Sequence, residues 1–129
     1  MNFILDTHVF LWALAEPEKL SPAARSAIEE PAHHLFVSSI SLFEVATKVR
    51  VGKLKVPERI LNQWEFALSQ LGASLTPVLG QDSVRAGLWP VEHRDPFDRI
   101  LAAQAVNSDR VLISRDSAFA EFSGLQTLW

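Results

Sequence analysis

Of four carboxylates, Asp6, Asp98 and Asp116 fall where strands end or a helix begins and Glu44 lies inside a helix that follows a strand, so they are the first residues of this chain to test for chemistry. Asp6 directly follows the apolar run Asn2 to Leu5, and Asp116 follows the tight apolar run Val111 to Ser114. Glu44 sits among Ile40, Leu42, Phe43, Val45 and Ala46, where a solvated charge is out of place. Asp98 is the third residue of a helix that opens at Pro96, with Asp95 just before it. Several carboxylates brought within a few ångströms repel one another unless cations neutralise them. Hard divalent ions such as Mg²⁺ take oxygen ligands, keep several waters and are completed by substrate phosphates. One such ion activates a water towards phosphorus while another stabilises the leaving oxygen, so no protein nucleophile is required. That chemistry suits a chain with no cysteine.

The elements that must bring these acids together follow from periodicity. Asn2 to Leu5 reads as a strand and the residues through Leu14 as a helix, which Pro17 closes. Ser21-Pro22 starts a second helix, over Ala23 to Glu30. Leu35 to Ser38 is a strand, followed by a helix with Leu42, Val45, Ala46 and Val49 on one face and Gly52 at its end. Ile60, Leu61, Trp64, Leu68 and Leu71 predict one continuous helix up to Gly72. Leu75 to Leu79 is a weak strand, with proline tolerable only near an edge or strand end, and Gln81 to Trp89 a short helix. Asp95-Pro96 opens a helix through about Val106, and Val111 to Ser114 is a buried strand. A helical turn near Phe119 and a strand near Leu128 finish the chain.

Strands alternating with helices call for an α/β domain over residues 1–129, a parallel sheet of about four to five strands flanked by helices. Ligands of such sheets gather at the carboxyl ends of the strands, where three of the acids would lie. Each acid also has a structural role open to it. Asp95 is a good N-cap, Asp98 suits the helix dipole, Asp116 could cap the turn after it, and Asp6 could turn the chain out of its strand.

Four segments carry a resemblance. Leu5-Asp-Thr-His8, Ser38-Ser-Ile-Ser-Leu-Phe-Glu44, Asp95-Pro-Phe-Asp-Arg-Ile-Leu-Ala-Ala-Gln104 and Leu112-Ile-Ser-Arg-Asp116 come in the order and spacing of PIN-domain proteins. Over nearly its whole length the chain resembles the VapC toxins of prokaryotic toxin–antitoxin pairs. The resemblance implies helices on both faces of a parallel sheet, a Mg²⁺ or Mn²⁺ site, and endonucleolytic cleavage of RNA. It carries the metal and catalytic roles onto Asp6, Glu44, Asp98 and Asp116. Asp98 is chosen over Asp95 because the family's third acid precedes an Ala-Ala pair by four residues, here Ala102-Ala103. Asp95 then supports or caps. Ser114 matches a small hydroxyl able to bond a ligand carboxylate or metal-bound water, and Thr7 is a weaker supporting candidate. A homodimer and a VapB-like antitoxin are implied as well.

Lys48, Arg50, Lys53, Lys55 and Arg59 oppose only Glu58 in the segment after Glu44, a candidate phosphate-contacting patch if it is not simply a solvated face. Arg99 and Arg115, beside proposed ligand acids, could meet phosphate or balance charge. His8, His33, His34 and His93 share no metal-site spacing and are not read as ligands. Trp12 and Trp64 read as core or dimer contacts; Trp89 and Trp129 stay open.

Composition limits the alternatives. Of 129 residues, 48% are hydrophobic and 21% charged, which suits a core-forming domain. The longest apolar run, Val9 to Ala15, falls far short of the ~20 residues of a membrane helix, and no secretion signal is legible, so a cytoplasmic location is expected. Taking four pocket carboxylates from the formal charge of −3 leaves +1 for the rest, which is compatible with a polyanionic substrate. A haloacid-dehalogenase-type phosphatase needs a second Asp where His8 stands. A non-catalytic binding or dimerisation module would leave the acids as caps.

Overall fold

The strand β1, Asn2–Leu5, is a short apolar run whose side chains alternate between two cores. Phe3 and Leu5 join a cluster with Val9, Phe10, Leu35, Val37 and Ile113, whereas Ile4 joins Leu101, Ala102 and Leu112 on the other face. A strand buried on both faces belongs at the middle of a covered parallel sheet, and β1 lies there. The computed structural model describes residues 1–129 in full. Its strands are β1, β2 (His34–Ser38), β3 (Ala73–Thr76), β4 (Val111–Ile113) and β5 (Thr127–Leu128). All neighbours pair in parallel in the order β3-β2-β1-β4-β5.

Seven α-helices cover the sheet: α1 (Thr7–Ala15), α2 (Pro22–Glu29), α3 (Ser39–Arg50), α4 (Glu58–Asn62), α5 (Trp64–Leu71), α6 (Gly80–Leu88) and α7 (Pro96–Asn107). The first five supply most of the core around Phe10, and α6 with α7 supplies the core around Leu101. Local signals set most boundaries. Ser21 caps α2 by accepting from Ala24 N at 3.0 Å, with Pro22 at the first helical position. Gly72 ends α5 at φ 66°, a left-handed conformation that glycine adopts without penalty.

Two expectations need correction. The continuous helix over Ile60 to Leu71 is two, because Gln63 leaves the helical region at φ −127° and ψ 44° and starts α5 afresh. The bend folds this segment over the core so that Ile60 and Leu68 bury in one cluster. The strand expected at Leu75 to Leu79 begins at Ala73, straight after Gly72, and ends at Thr76 because Pro77 has no N–H for the ladder. It is an edge strand, and the proline stands just past its end.

The chain proceeds outward from β1 through β2 to β3, then returns to β4 on the other side of β1. The order reverses between β1 and β4, and the crevice beyond their carboxyl ends is where open α/β sheets receive ligands. No helix is long and apolar enough to cross a membrane.

Candidate active site

Asp6 and Ser114 leave the paired strands β1 and β4 side by side. Asp6 N donates to Ile113 O at 3.0 Å, so the acid stands at the last rung of that ladder. Its Oδ1 caps α1 by accepting from Thr7 N at 2.8 Å, and Oδ2 accepts from Ser114 Oγ at 2.7 Å. Ser114 Oγ also accepts from Asp116 N at 3.0 Å, so one buried hydroxyl ties the acid after β1 to the acid after β4. Burial lifts the Asp6 carboxyl above its ordinary value despite these bonds, and the charge of Glu44 adds to the lift.

Glu44 is buried on α3 with both oxygens occupied. Thr7 Oγ1 donates to Oε1 at 2.7 Å, and Lys48 Nζ, one turn further along α3, lies 2.5 Å from Oε2. Thr7 Oγ1 is also 2.9 Å from Ser41 Oγ. Burial would lower the Lys48 ammonium, but the Glu44 bond and the charges of Glu44, Asp95 and Asp98 hold it above its usual value.

The remaining acids come from element starts. Asp95 caps α7, accepting from Phe97 N at 2.9 Å. Asp98 in the first turn meets His93 Nε2 through Oδ2 at 2.8 Å. Burial pushes the Asp98 carboxyl up to about 6; the His93 bond opposes this, while Asp95 and Asp6 reinforce it. Asp116 caps a 3-10 turn, Ser117–Glu121, by accepting from Ala118 N at 2.9 Å.

These elements enclose a cavity of about 530 Å³ lined by Asp6, Glu44, Asp95, Asp98 and Asp116, with Lys48, His8, Trp12 and Arg115 among the other walls. No three acidic or histidine side chains converge on one point at metal-ligand distance. The donor set is nonetheless oxygen throughout, with two carboxyls raised partly by their neighbours' charges, a disposition that a hydrated hard cation would relieve.

A PIN domain matches residues 3–125, from β1 to just before β5. The chain belongs to the PIN-domain family. It is 34% identical to Ribonuclease VapC22 of Mycobacterium tuberculosis over 116 residues, 88% of this chain and 85% of that protein. A chain of VapBC2 from Rickettsia felis, bound to a promoter DNA fragment, superposes with a TM-score of 0.74 at 18% identity, covering 99% of this chain and 98% of that one. A chain of DNA-bound VapBC from Salmonella typhimurium gives 0.73 at 20% identity, covering 99% and 97%. These structures share the fold.

Several other residues stand differently from their sequence reading. Arg99 is not free for RNA. Its guanidinium donates to Ala86 O, Trp89 O, Val91 O and His93 O at 2.6 to 3.2 Å, buckling the loop between α6 and α7 onto α7. Of these carbonyls only that of Trp89 has a backbone partner, Val91 N, and Arg is the side chain with donors enough to serve all four. Trp12 is half-buried, resting on the core yet also lining the acidic cavity, where Arg115 stands 5.2 Å from its ring centre and Trp129 6.0 Å. Lys48 and Arg115 line the cavity, whereas Arg50, Lys53 and Lys55 are exposed beyond it. Trp64 packs on the core as expected, and Trp89 is buried against Phe122. The residue that spacing did not single out is His93. Its signal was weak, a lone histidine five positions before Asp98 across a helix start, because only the loop's path brings it back onto that acid.

Proposed function

We propose that this protein is a divalent-metal-dependent endoribonuclease, acting in the cytoplasm as the toxin of a VapBC-type pair, with residues 1–129 as one catalytic domain. The observation that carries the reading is the acidic cavity at the β1–β4 crossing, in a chain 34% identical to a ribonuclease. Asp6, Glu44, Asp98 and Asp116 would hold Mg²⁺ or Mn²⁺, partly through water, as hard ions with retained hydration allow. The bound ion supplies a water of lowered pKa and positive charge for the departing oxygen.

The chain's own groups prepare for that. Ser114 orients Asp6 and, through Asp116 N, fixes the start of the turn that carries Asp116. Thr7 and Lys48 fix the two oxygens of Glu44. Asp95 caps α7 and so sets where Asp98 enters. Lys48 and Arg115 line the cavity and would meet the phosphate there, and exposed Arg50, Lys53 and Lys55 would extend a basic path for the RNA backbone. A VapB-like antitoxin and a second copy of the chain are the expected partners, the former testable by co-purification and the latter by sedimentation.

The test is cleavage of a structured RNA with Mg²⁺ or Mn²⁺, beside EDTA and Asp6→Asn. Metal-dependent cleavage lost in the variant is expected. No cleavage together with a melting temperature indifferent to metal would sink the reading in favour of a binding module; stabilisation without cleavage would reject that RNA as target.

A further inference from the structure

We infer that His93 is a positioning residue that holds Asp98 and the Asp116-bearing turn at a fixed separation; the inference rests on the metal-dependent reading above. The imidazole is only 10% exposed, and each ring nitrogen faces a carboxylate. Nε2 is 2.8 Å from Asp98 Oδ2, and Nδ1 is 3.4 Å from Glu121 Oε2. Asp98 lies in the first turn of α7, whereas Glu121 ends the 3-10 turn that Asp116 caps. One ring therefore spans two elements that each bring an acid to the cavity.

The ring is clamped independently of its polar bonds. It stacks on Phe119 of the same turn, with centres 6.1 Å apart and planes 22° apart, and tilts against Phe122 at 5.3 Å. Its backbone is pinned too, because Arg99, the residue after Asp98, donates to His93 O at 2.7 Å. Backbone and side chain are thus both referred to the start of α7. With Oδ2 engaged by His93, Asp98 keeps Oδ1 for the cavity it lines. A ring needed only for packing against Phe119 and Phe122 would be served as well by phenylalanine, without two nitrogens to be satisfied. Partners of this kind behind a ligand carboxylate typically change metal affinity or activity by ~10–100-fold when lost.

Mn²⁺ binding by calorimetry on the full chain tests this directly, with no RNA present. His93→Phe keeps the stacking and removes both polar bonds; the expected result is an unchanged melting temperature to within a few degrees and a Kd for Mn²⁺ raised about tenfold or more. His93→Gln, whose amide nitrogen reaches about as far as Nε2, is expected to recover part of the loss. Should Phe not be tolerated, His93→Asn, polar but too short for Asp98, is expected to show the same rise. Folded variants that bind Mn²⁺ as tightly as the native chain would overturn the positioning role and leave the metal reading intact. A native chain that binds no Mn²⁺ would overturn both. Tight binding that His93→Phe weakens, in a protein that cuts no RNA, would support His93 and reject only the substrate.

Discussion

The two walls of the cavity hold their acids by different means. On the wall built by β1, β4 and α3, Asp6 and Glu44 are fixed by buried hydroxyls: Ser114 on Asp6, Thr7 on Glu44. Those hydroxyls are themselves anchored by paired strands and a helix start, so little can move without breaking the sheet. On the wall built by the start of α7 and the turn after β4, Asp95 and Asp116 bond their own following backbone, and Asp98 relies on His93 from a loop. That loop in turn depends on one guanidinium, Arg99. The first wall inherits its geometry from the sheet, whereas the second is assembled from local caps and one long-range buckle. The second wall is therefore the one that side-chain substitutions outside the acids can displace.

The largest effect should come from the sheet-built wall's central acid. Asp6→Asn keeps a competent helix cap and removes the charge, so RNA cleavage at saturating metal should fall on the order of 10³-fold, equivalent to ~4 kcal/mol, in a protein that still folds. Activity retained within tenfold would move the catalytic centre elsewhere. Next comes the buckle of the other wall. Arg99→Ala leaves the carbonyls of Ala86, Val91 and His93 short of a donor and should cost about 3 kcal/mol in urea denaturation, with Arg99→Lys rescuing little because one ammonium cannot span the fork's partners. If Arg99→Ala instead weakened RNA binding and spared stability, the phosphate-contact role would be restored. Ser114→Ala strips Asp6 Oδ2 and Asp116 N of their shared partner, and a smaller loss of about 1–2 kcal/mol is expected from the same measurement. Equal losses from Ser114→Ala and Arg99→Ala would erase the distinction between the walls.

The smallest effect is electrostatic and appears without metal. Asp98 titrates near 6 in the folded chain against an ordinary 3.8, so between those values the native state binds more protons than the unfolded one. Stability from this group therefore falls as pH rises through that window, and the loss is complete above about 6. Asp6, raised by burial, acts with the same sign. His93 would be lowered by burial, but its bonds to Asp98 and Glu121 carry it above 6.5; its contribution is full below 6.5 and fades as pH rises through its own raised value. In EDTA, the melting temperature of Asp6→Asn relative to the native chain should improve as pH rises from the ordinary carboxyl value of 3.8 to neutrality, and Mn²⁺ should reverse the order by stabilising only the native site. A difference independent of pH would mean that Asp6 is not strained by its surroundings.

Much of this was legible in the chain itself. Asp6 after β1 and Asp116 after β4 were readable because short apolar runs bounded by turn residues announce strand ends, and Asp95-Pro96 announced α7 through capping chemistry that acts within one turn. Glu44 declared itself by being an acid in an apolar helical face. Less legible were features whose partners are far along the chain. The helix over Ile60 to Leu71 has unbroken periodicity, and only its packing around the core bends it at Gln63. Trp12 fits an apolar pattern equally well whether it faces core or cavity, and Arg99 beside Asp98 looks like a phosphate ligand until the loop's unpaired carbonyls are counted.

The sequence by itself determined the alternation of strand and helix, the caps, and where along the elements the candidate acids stand, because each depends on side chains a few positions apart. Only the tertiary structure decided that Ser114 would bridge Asp6 and Asp116, that Thr7 would hold Glu44 and that His93 would turn back onto Asp98. Those contacts join residues up to 108 positions apart. Their distances are set by strand order and core packing, quantities that no local pattern encodes.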